Sequence, residues 1–267
     1  MKNCFLYLLI FTTTLLGVTV AAQPSAQECL DELKAGNKRF VEEKAIHPHS
    51  NKARLSLAGK EDQGKYASAT IITCSDSRVP VELIFDTGVM DIFVIRVAGN
   101  VCNTDEIGSI EYGLAHVNTP ILVVLGHTQC GAVTAVTNAI EGHGHILERN
   151  IPALVAPIKP AVIKAKKAHP HKHGKELIPY AVEENVWQGI EDLFMKSPST
   201  RKLVNNKKVK VIGAIYDVAT GVVKWLSEGK TTKILQDVEK NPAKATNEFA
   251  EEKSKITSKK VKVEDKK

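Results

Sequence analysis

In the stretch ITCSDSRVP, residues 72–80, a thiol, a carboxylate and a guanidinium stand at alternate positions, Cys74, Asp76 and Arg78, directly after an apolar run. A second cluster, GHTQCGA at 126–132, places His127 and Cys130 three residues apart after the apolar run PILVVL. If that segment turns into a helix, His127 and Cys130 share one face and can both bind one ion. Gly126 and Gly131 would leave room there for close backbone approach. Cys74, His127 and Cys130 then make a set of two thiolates and one imidazole with an open fourth position. That is the arrangement expected of a catalytic rather than a structural zinc, one ion per chain.

Asp76 has two possible places, in the fourth position on zinc or just outside it. Arg78 offers a guanidinium fork that matches a carboxylate bidentately. It can hold Asp76 off the metal, so that the carboxylate orients a water there and ligates zinc only in a closed state. Two thiolates neutralise the charge of the ion, so that water should ionise at higher pH than in a three-imidazole site, giving an alkaline optimum.

For the two clusters to meet they must lie at neighbouring strand ends, because ligands of an open parallel sheet gather at the carboxyl ends of its strands. The runs ATIITC (69–74), DIFVIRVAGN (91–100), PILVVLGH (120–127) and KVKVIGAIYD (208–217) are β-rich and read as strands buried on both faces. GVVKWL (221–226) follows a tight Ala219-Thr220-Gly221 turn and reads as an antiparallel edge strand. Helical patterns cover 105–116, 132–141, 151–167 and 181–196. Residues 26–44 form an amphipathic helix pattern with Cys29 or Leu30, Leu33, Phe40 and Val41 along one face, which needs a partner surface. The expected fold is α/β, a mostly parallel central sheet with an antiparallel edge strand, flanked by helices, in one body spanning 23–230.

Outside that body, Met1 and Lys2 lead into an apolar stretch that ends in Val20-Ala21-Ala22, the pattern of a cleaved secretory signal over residues 1–22. The mature protein is therefore expected in the periplasm or outside the cell, with no stable membrane anchor. Residues 231–267 are Lys/Glu-rich and read as a helical to disordered tail. The 267 residues are 43% hydrophobic and 25% charged, ordinary for a globular protein with one large core. A net charge of +6 without aromatics among the basic residues gives no nucleic-acid surface. Four cysteines remain after the leader, too few for a disulfide scaffold; Cys29 and Cys102, away from both clusters, are either free or paired with each other. Histidines at 143, 145, 169, 171 and 173 lie in polar loops, as solvated side chains, proton buffers or fortuitous metal binders.

CSDSR, FVIRVAGN and GSIEYGLAHVNTPILVVLGHTQCGA, in this order, closely resemble the β-class carbonic anhydrases over roughly 27–230. The resemblance implies zinc held by Cys74, His127 and Cys130, an Asp76–Arg78 dyad, and attack of zinc-bound hydroxide on carbon dioxide to give bicarbonate and a proton. It also implies an N-terminal helix that packs on a neighbouring subunit, a homodimer that can pair into a homotetramer, and a place for Tyr112 in the substrate pocket. One departure is Lys65, which stands where many members carry a Gln nine residues before the first zinc cysteine; Gln63 is the nearest substitute. Two other uses of the same site are a hydrolase of carbonyl sulfide or carbon disulfide and a non-catalytic zinc-binding protein. A redox role for Cys74 and Cys130 fits less well, since neither belongs to a C-x-x-C motif.

Overall fold

The computed structural model of the chain describes residues 24–246. The leader expected at 1–22 and the tail beyond residue 246 lie outside the described residues. The helices and strands run α1 (Ala26–Val41), α2 (Lys52–Ala58), β1 (Ala69–Thr73), α3 (Val81–Ile84), β2 (Ile92–Arg96), α4 (Thr104–Ala115), β3 (Ile121–His127) and α5 (Gly131–Ile140). They continue with α6 (Ile151–Val155), α7 (Lys159–Ala168), α8 (Ile178–Lys196), α9 (Pro198–Asn205), β4 (Lys210–Tyr216), β5 (Val223–Trp225) and α10 (Glu228–Lys240).

The five strands form one sheet in the order β2-β1-β3-β4-β5. All pairs are parallel except β4 with β5. The chain leaves β1 for β2 on one side and later enters β3 on the other, so the order switches between β1 and β3. The carboxyl ends of these two strands therefore open into the crevice where such sheets bind ligands.

Alternate side chains of each strand enter two different cores, as the two-residue period of a strand requires. Ile72, Leu122, Val124, Val211 and Ile215 face the larger core, shared with α4, α5, α7 and α8. Ile71, Ile121, Val123, Leu125 and Ile212 face the smaller one, with α1 and α3. β1 and β3 are buried along their whole length. β2 is not buried on both faces as its composition suggested; with a neighbour on one side only, it stays partly exposed.

Helix α1 starts at a capping box, in which the Ser25 hydroxyl accepts the Glu28 N–H at 3.2 Å and Glu28 accepts the Ser25 N–H at 2.7 Å. Its Cys29, Leu30 and Leu33 are buried against the chain's own sheet and α3. Asn37 locks that docking: its amide donates to the Ile84 and Gly221 carbonyls at 3.2 and 2.9 Å, and its oxygen accepts the Val223 N–H at 2.9 Å.

Two other helices depart from the sequence pattern. The helix expected over 151–167 is broken into α6, a 3-10 turn and α7, because Pro152, Pro157 and Pro160 each lack the N–H that a continuous ladder needs. α10 crosses the boundary expected at residue 230 and buries Thr231, Leu235 and Val238. The chain beyond it is held by Arg201 Nη2, which donates to the Ala245 carbonyl at 2.7 Å. Among the described residues no helix is long and apolar enough to cross a membrane.

The segment after α1 is tied down by one buried carboxylate. Asp86 accepts from Arg39 Nε at 2.5 Å and from the Ile46 and His47 N–H groups at 3.1 and 2.9 Å. Burial alone would raise its pKa, but the Arg39 guanidinium and the two N–H groups outweigh it and hold the carboxyl below the usual range. A carboxyl that titrates lower in the fold than its ordinary ~3.9 stabilises the fold above that pH, and the contribution drains away as pH falls through the folded value. Asp86→Asn is expected to cost about 2 kcal/mol at pH 7. Urea unfolding at a series of pH values should show the gap between variant and parent narrowing below about pH 4.

Candidate metal centre

The sequence folds the two clusters onto the switch point. β1 ends at Thr73, so Cys74 emerges at the carboxyl end of the sheet. Thr73 pairs in register with Leu125 on β3, two residues before His127, which closes that strand. The backbone then turns sharply through Gln129, whose φ of 57° is left-handed, and Cys130 caps α5. His127 and Cys130 thus do not share a helical face; one ends a strand, the other opens a helix, and the turn between them brings both to one point. Gly126 provides the close approach expected of it, against Val186, whereas Gly131 has open space around it.

The Cys74 and Cys130 sulfurs and a His127 ring nitrogen lie within 4.8 Å of one another, and all three residues are buried. The edges of a zinc tetrahedron with bonds of about 2.0–2.3 Å fit inside that span. His127 Nδ1 donates to the Thr128 carbonyl at 2.9 Å, which leaves the lone pair on Nε2. Nε2 is buried without a hydrogen-bond partner, a costly condition that a metal ligand would relieve. The two thiols shift each other: the nearby Cys130 thiol, with help from His127 and the Gly99 N–H, outweighs burial and pulls the Cys74 thiol down, while Cys74 together with burial pushes Cys130 up. The pair gives up its first proton readily and holds the second. A divalent cation would take the place of that second proton, so the donor set suits zinc.

Beside this group, Arg78 grips Asp76 as a fork, Nε to Oδ1 at 2.9 Å and Nη2 to Oδ2 at 2.7 Å, while the Arg78 N–H adds a third bond to Oδ1 at 2.9 Å. These bonds hold the Asp76 carboxyl well below the usual carboxylate range, against the opposing effect of its partial burial. Asp76 Oδ2 lies 3.9 Å from His127 Nε2. Arg78 also donates to the Gln129 carbonyl at 3.2 Å, which ties the fork to the turn between the other two candidate ligands.

Tyr112 is not with them. Its ring is half exposed on α4, 6.0 Å from the Phe93 ring and 5.2 Å from His116. Lys65 is exposed and pairs with Glu61. The histidine loops stand apart too: His169 stacks on Tyr180 at 3.7 Å. His173 Nδ1 lies 2.9 Å from the Glu141 carboxylate, and with His143 and Lys166 it lines a cavity of about 550 Å³. Cys29 and Cys102 are free buried thiols in the two separate cores, and burial pushes both thiols up, that of Cys29 to about 11.

One residue that sequence reasoning passed over is Arg96, at the end of β2. It donates from Nε to the Cys74 carbonyl at 3.1 Å and from Nη2 to the Asp76 carbonyl at 2.7 Å. A cation closing a strand next to β1 was the available signal, but its targets are backbone carbonyls, which sequence does not distinguish.

A family model described as carbonic anhydrase matches residues 69–223. The chain is 32% identical over 196 residues to the carbonic anhydrase of Mycolicibacterium smegmatis, covering 73% of this chain and 90% of that protein. It is 33% identical over 190 residues to carbonic anhydrase 2 of Mycobacterium tuberculosis, covering 71% and 87%. Among solved structures it is similar to the β-carbonic anhydrase CcaA, with a TM-score of 0.57 at 26% identity over 74% of this chain and 95% of that one. It is also similar to a structure from a study of two tetrameric β-carbonic anhydrases of Sordaria macrospora, with a TM-score of 0.55 at 25% identity over 72% and 94%.

Arg96→Leu removes both donors that fix the loop carrying Cys74 and Asp76. Chelator competition should show zinc held about 10- to 100-fold more weakly, the usual size of such an outer-shell loss.

Proposed function

This chain belongs to the β-class carbonic anhydrases, zinc enzymes whose general reaction is the reversible hydration of carbon dioxide, and on that premise we propose that Cys74, His127 and Cys130 hold one zinc ion while Asp76 and Arg78 gate its chemistry. The observation that carries this reading is the Asp76–Arg78 fork, set 3.9 Å from the unpartnered His127 nitrogen. When bound, zinc would supply a Lewis acid that makes water a nucleophile toward carbon dioxide.

The chain's own residues do the rest. Asp76, ionised because of Arg78, is an acceptor only. Oδ1 already accepts two bonds from Arg78, from Nε and from the backbone N–H, whereas Oδ2 accepts one and keeps a second lone pair. Asp76 Oδ2 can therefore accept a hydrogen bond from an incoming nucleophile and aim that nucleophile's lone pair at the substrate carbon, while Arg78 keeps the carboxylate from turning toward the Cys74 and His127 donors. Were Arg78 to let go, Asp76 would be free to turn inward and could serve as a fourth donor to the ion, which would close the site. Zinc storage would not need such a fork.

The same family membership supports a homodimer or homotetramer, as does the partly exposed β2 edge with the exposed Ile46, Leu55 and Tyr112. The Sordaria proteins are described as tetramers. Tyr112 would then reach a pocket only across a subunit interface. Residues 1–22 support export, to the periplasm or beyond.

Asp76→Ala is expected to lose about a hundredfold or more in carbon dioxide hydration, with one zinc still counted per chain. Stopped-flow measurements across pH on metal-counted samples check this, and parent turnover should rise toward alkaline pH. A variant as fast as the parent, at full zinc, would remove Asp76 from the mechanism. Cell fractionation, followed by mass spectrometry and light scattering of the recovered protein, should find a chain beginning at Gln23 outside the cytoplasm, with the mass of a dimer or tetramer. An uncleaved cytoplasmic chain would refute export, and a monomer would refute the assembly.

A further inference from the structure

Helix α8 lies against the sheet at short range. A Cβ built on Gly126 of β3 would stand 2.7 Å from Val186 Cγ2, and one on Gly213 of β4 would stand 2.9 Å from Val186 Cγ1. Neither strand position could carry a larger side chain without pushing the helix away. This closeness lets a short side chain on α8 act across the layer. Asn185, one residue before Val186, is buried, and its Nδ2 donates to the Gly99 carbonyl at 2.8 Å.

Gly99 sits between β2 and α4 in a left-handed conformation, φ 75° and ψ 12°. A Cβ there would meet Ile158 Cδ1 at 2.7 Å and Ala132 Cβ at 3.0 Å. In this conformation its N–H donates to Cys74 Sγ at 3.3 Å. A glycine has no side chain to hold it in one backbone state and adopts positive and negative φ about equally readily. The orientation of that N–H therefore needs an external restraint, and the Asn185 amide is the buried side-chain donor that grips the residue.

We propose that Asn185 is a positioning residue for the metal centre: by holding the Gly99 carbonyl it fixes the left-handed turn whose N–H donates to the Cys74 sulfur, and so sets how much electron density that thiolate gives a metal. The inference rests on the reading of Cys74 as a ligand. A hydrogen bond to a thiolate withdraws density from it, the same lever that tunes other sulfur-ligated metals. Without the restraint, the thiolate becomes a richer donor on a looser loop.

The test uses the purified protein loaded with cobalt, whose sulfur-to-metal charge-transfer bands report thiolate electron density. Asn185→Asp keeps the shape but cannot donate to a carbonyl, and Asn185→Leu removes the amide. Both are expected to move the bands to longer wavelength and to weaken zinc binding about 10- to 100-fold in chelator competition. Bands and affinity unchanged in both variants would overturn the proposal. Should neither variant fold, the unaltered protein decides. Loaded with NMR-active cadmium, it should show scalar coupling from the metal to the Cys74 β-protons and, through the hydrogen bond, to the Gly99 amide proton. Coupling to Cys74 without coupling to Gly99 would overturn the positioning role alone; no coupling to Cys74 would overturn the ligand reading and the proposal with it.

Discussion

Everything near the switch point follows from the confinement of two thiols and an imidazole within 4.8 Å in a buried place. Such a group is costly by itself, since each donor loses its water and the sulfurs repel as soon as both ionise. The fold offsets the cost with directed hydrogen bonds. The Thr128 carbonyl takes the one ring proton of His127, the Gly99 N–H faces one sulfur, and the first turn of α5 begins at the other. What these bonds leave over is a lone pair and a second, retained thiol proton; a divalent cation would take up the one and replace the other. The Asp76–Arg78 fork is neutral as a pair, so it can stand beside that cation without adding net charge.

The parts of this arrangement that sequence made legible are those fixed by residue type and by uninterrupted patterning. β1 and β3 are apolar runs with no breaker, so both strands and their ends could be placed, and Cys74, Asp76, Arg78, His127 and Cys130 are the chemically distinctive residues at those ends. Patterning was misleading where local chemistry or position in the sheet intervened. Pro152, Pro157 and Pro160 interrupt an otherwise continuous helical spacing, and β2 has a core-like composition at a sheet edge. The H-x-x-C spacing suggested a helical face because it is the interval of one turn, but the left-handed Gln129 makes it a strand-to-helix turn.

The residues that escaped sequence reasoning act through backbone groups. Arg96 grips two carbonyls, and Asn37 docks α1 through three main-chain atoms on α3 and at the start of β5. Every residue carries the same carbonyl, so no pattern of types marks such a target before the chain is folded. Proximity decides these roles, and proximity here comes from how near helices and loops can come to the sheet.

The placement of the four described cysteines bears on how the protein matures. Cys29 lies in one core and Cys102 in the other, so the sheet itself keeps those two thiols from meeting. The pair the fold does press together is Cys74 and Cys130. In an oxidising compartment a disulfide between these neighbouring sulfurs would compete with a cation for the same two atoms. On the proposed readings of export and zinc binding, maturation would be a race between metal delivery and oxidation, and a chain that folded before it met its metal would be the one exposed to losing its site.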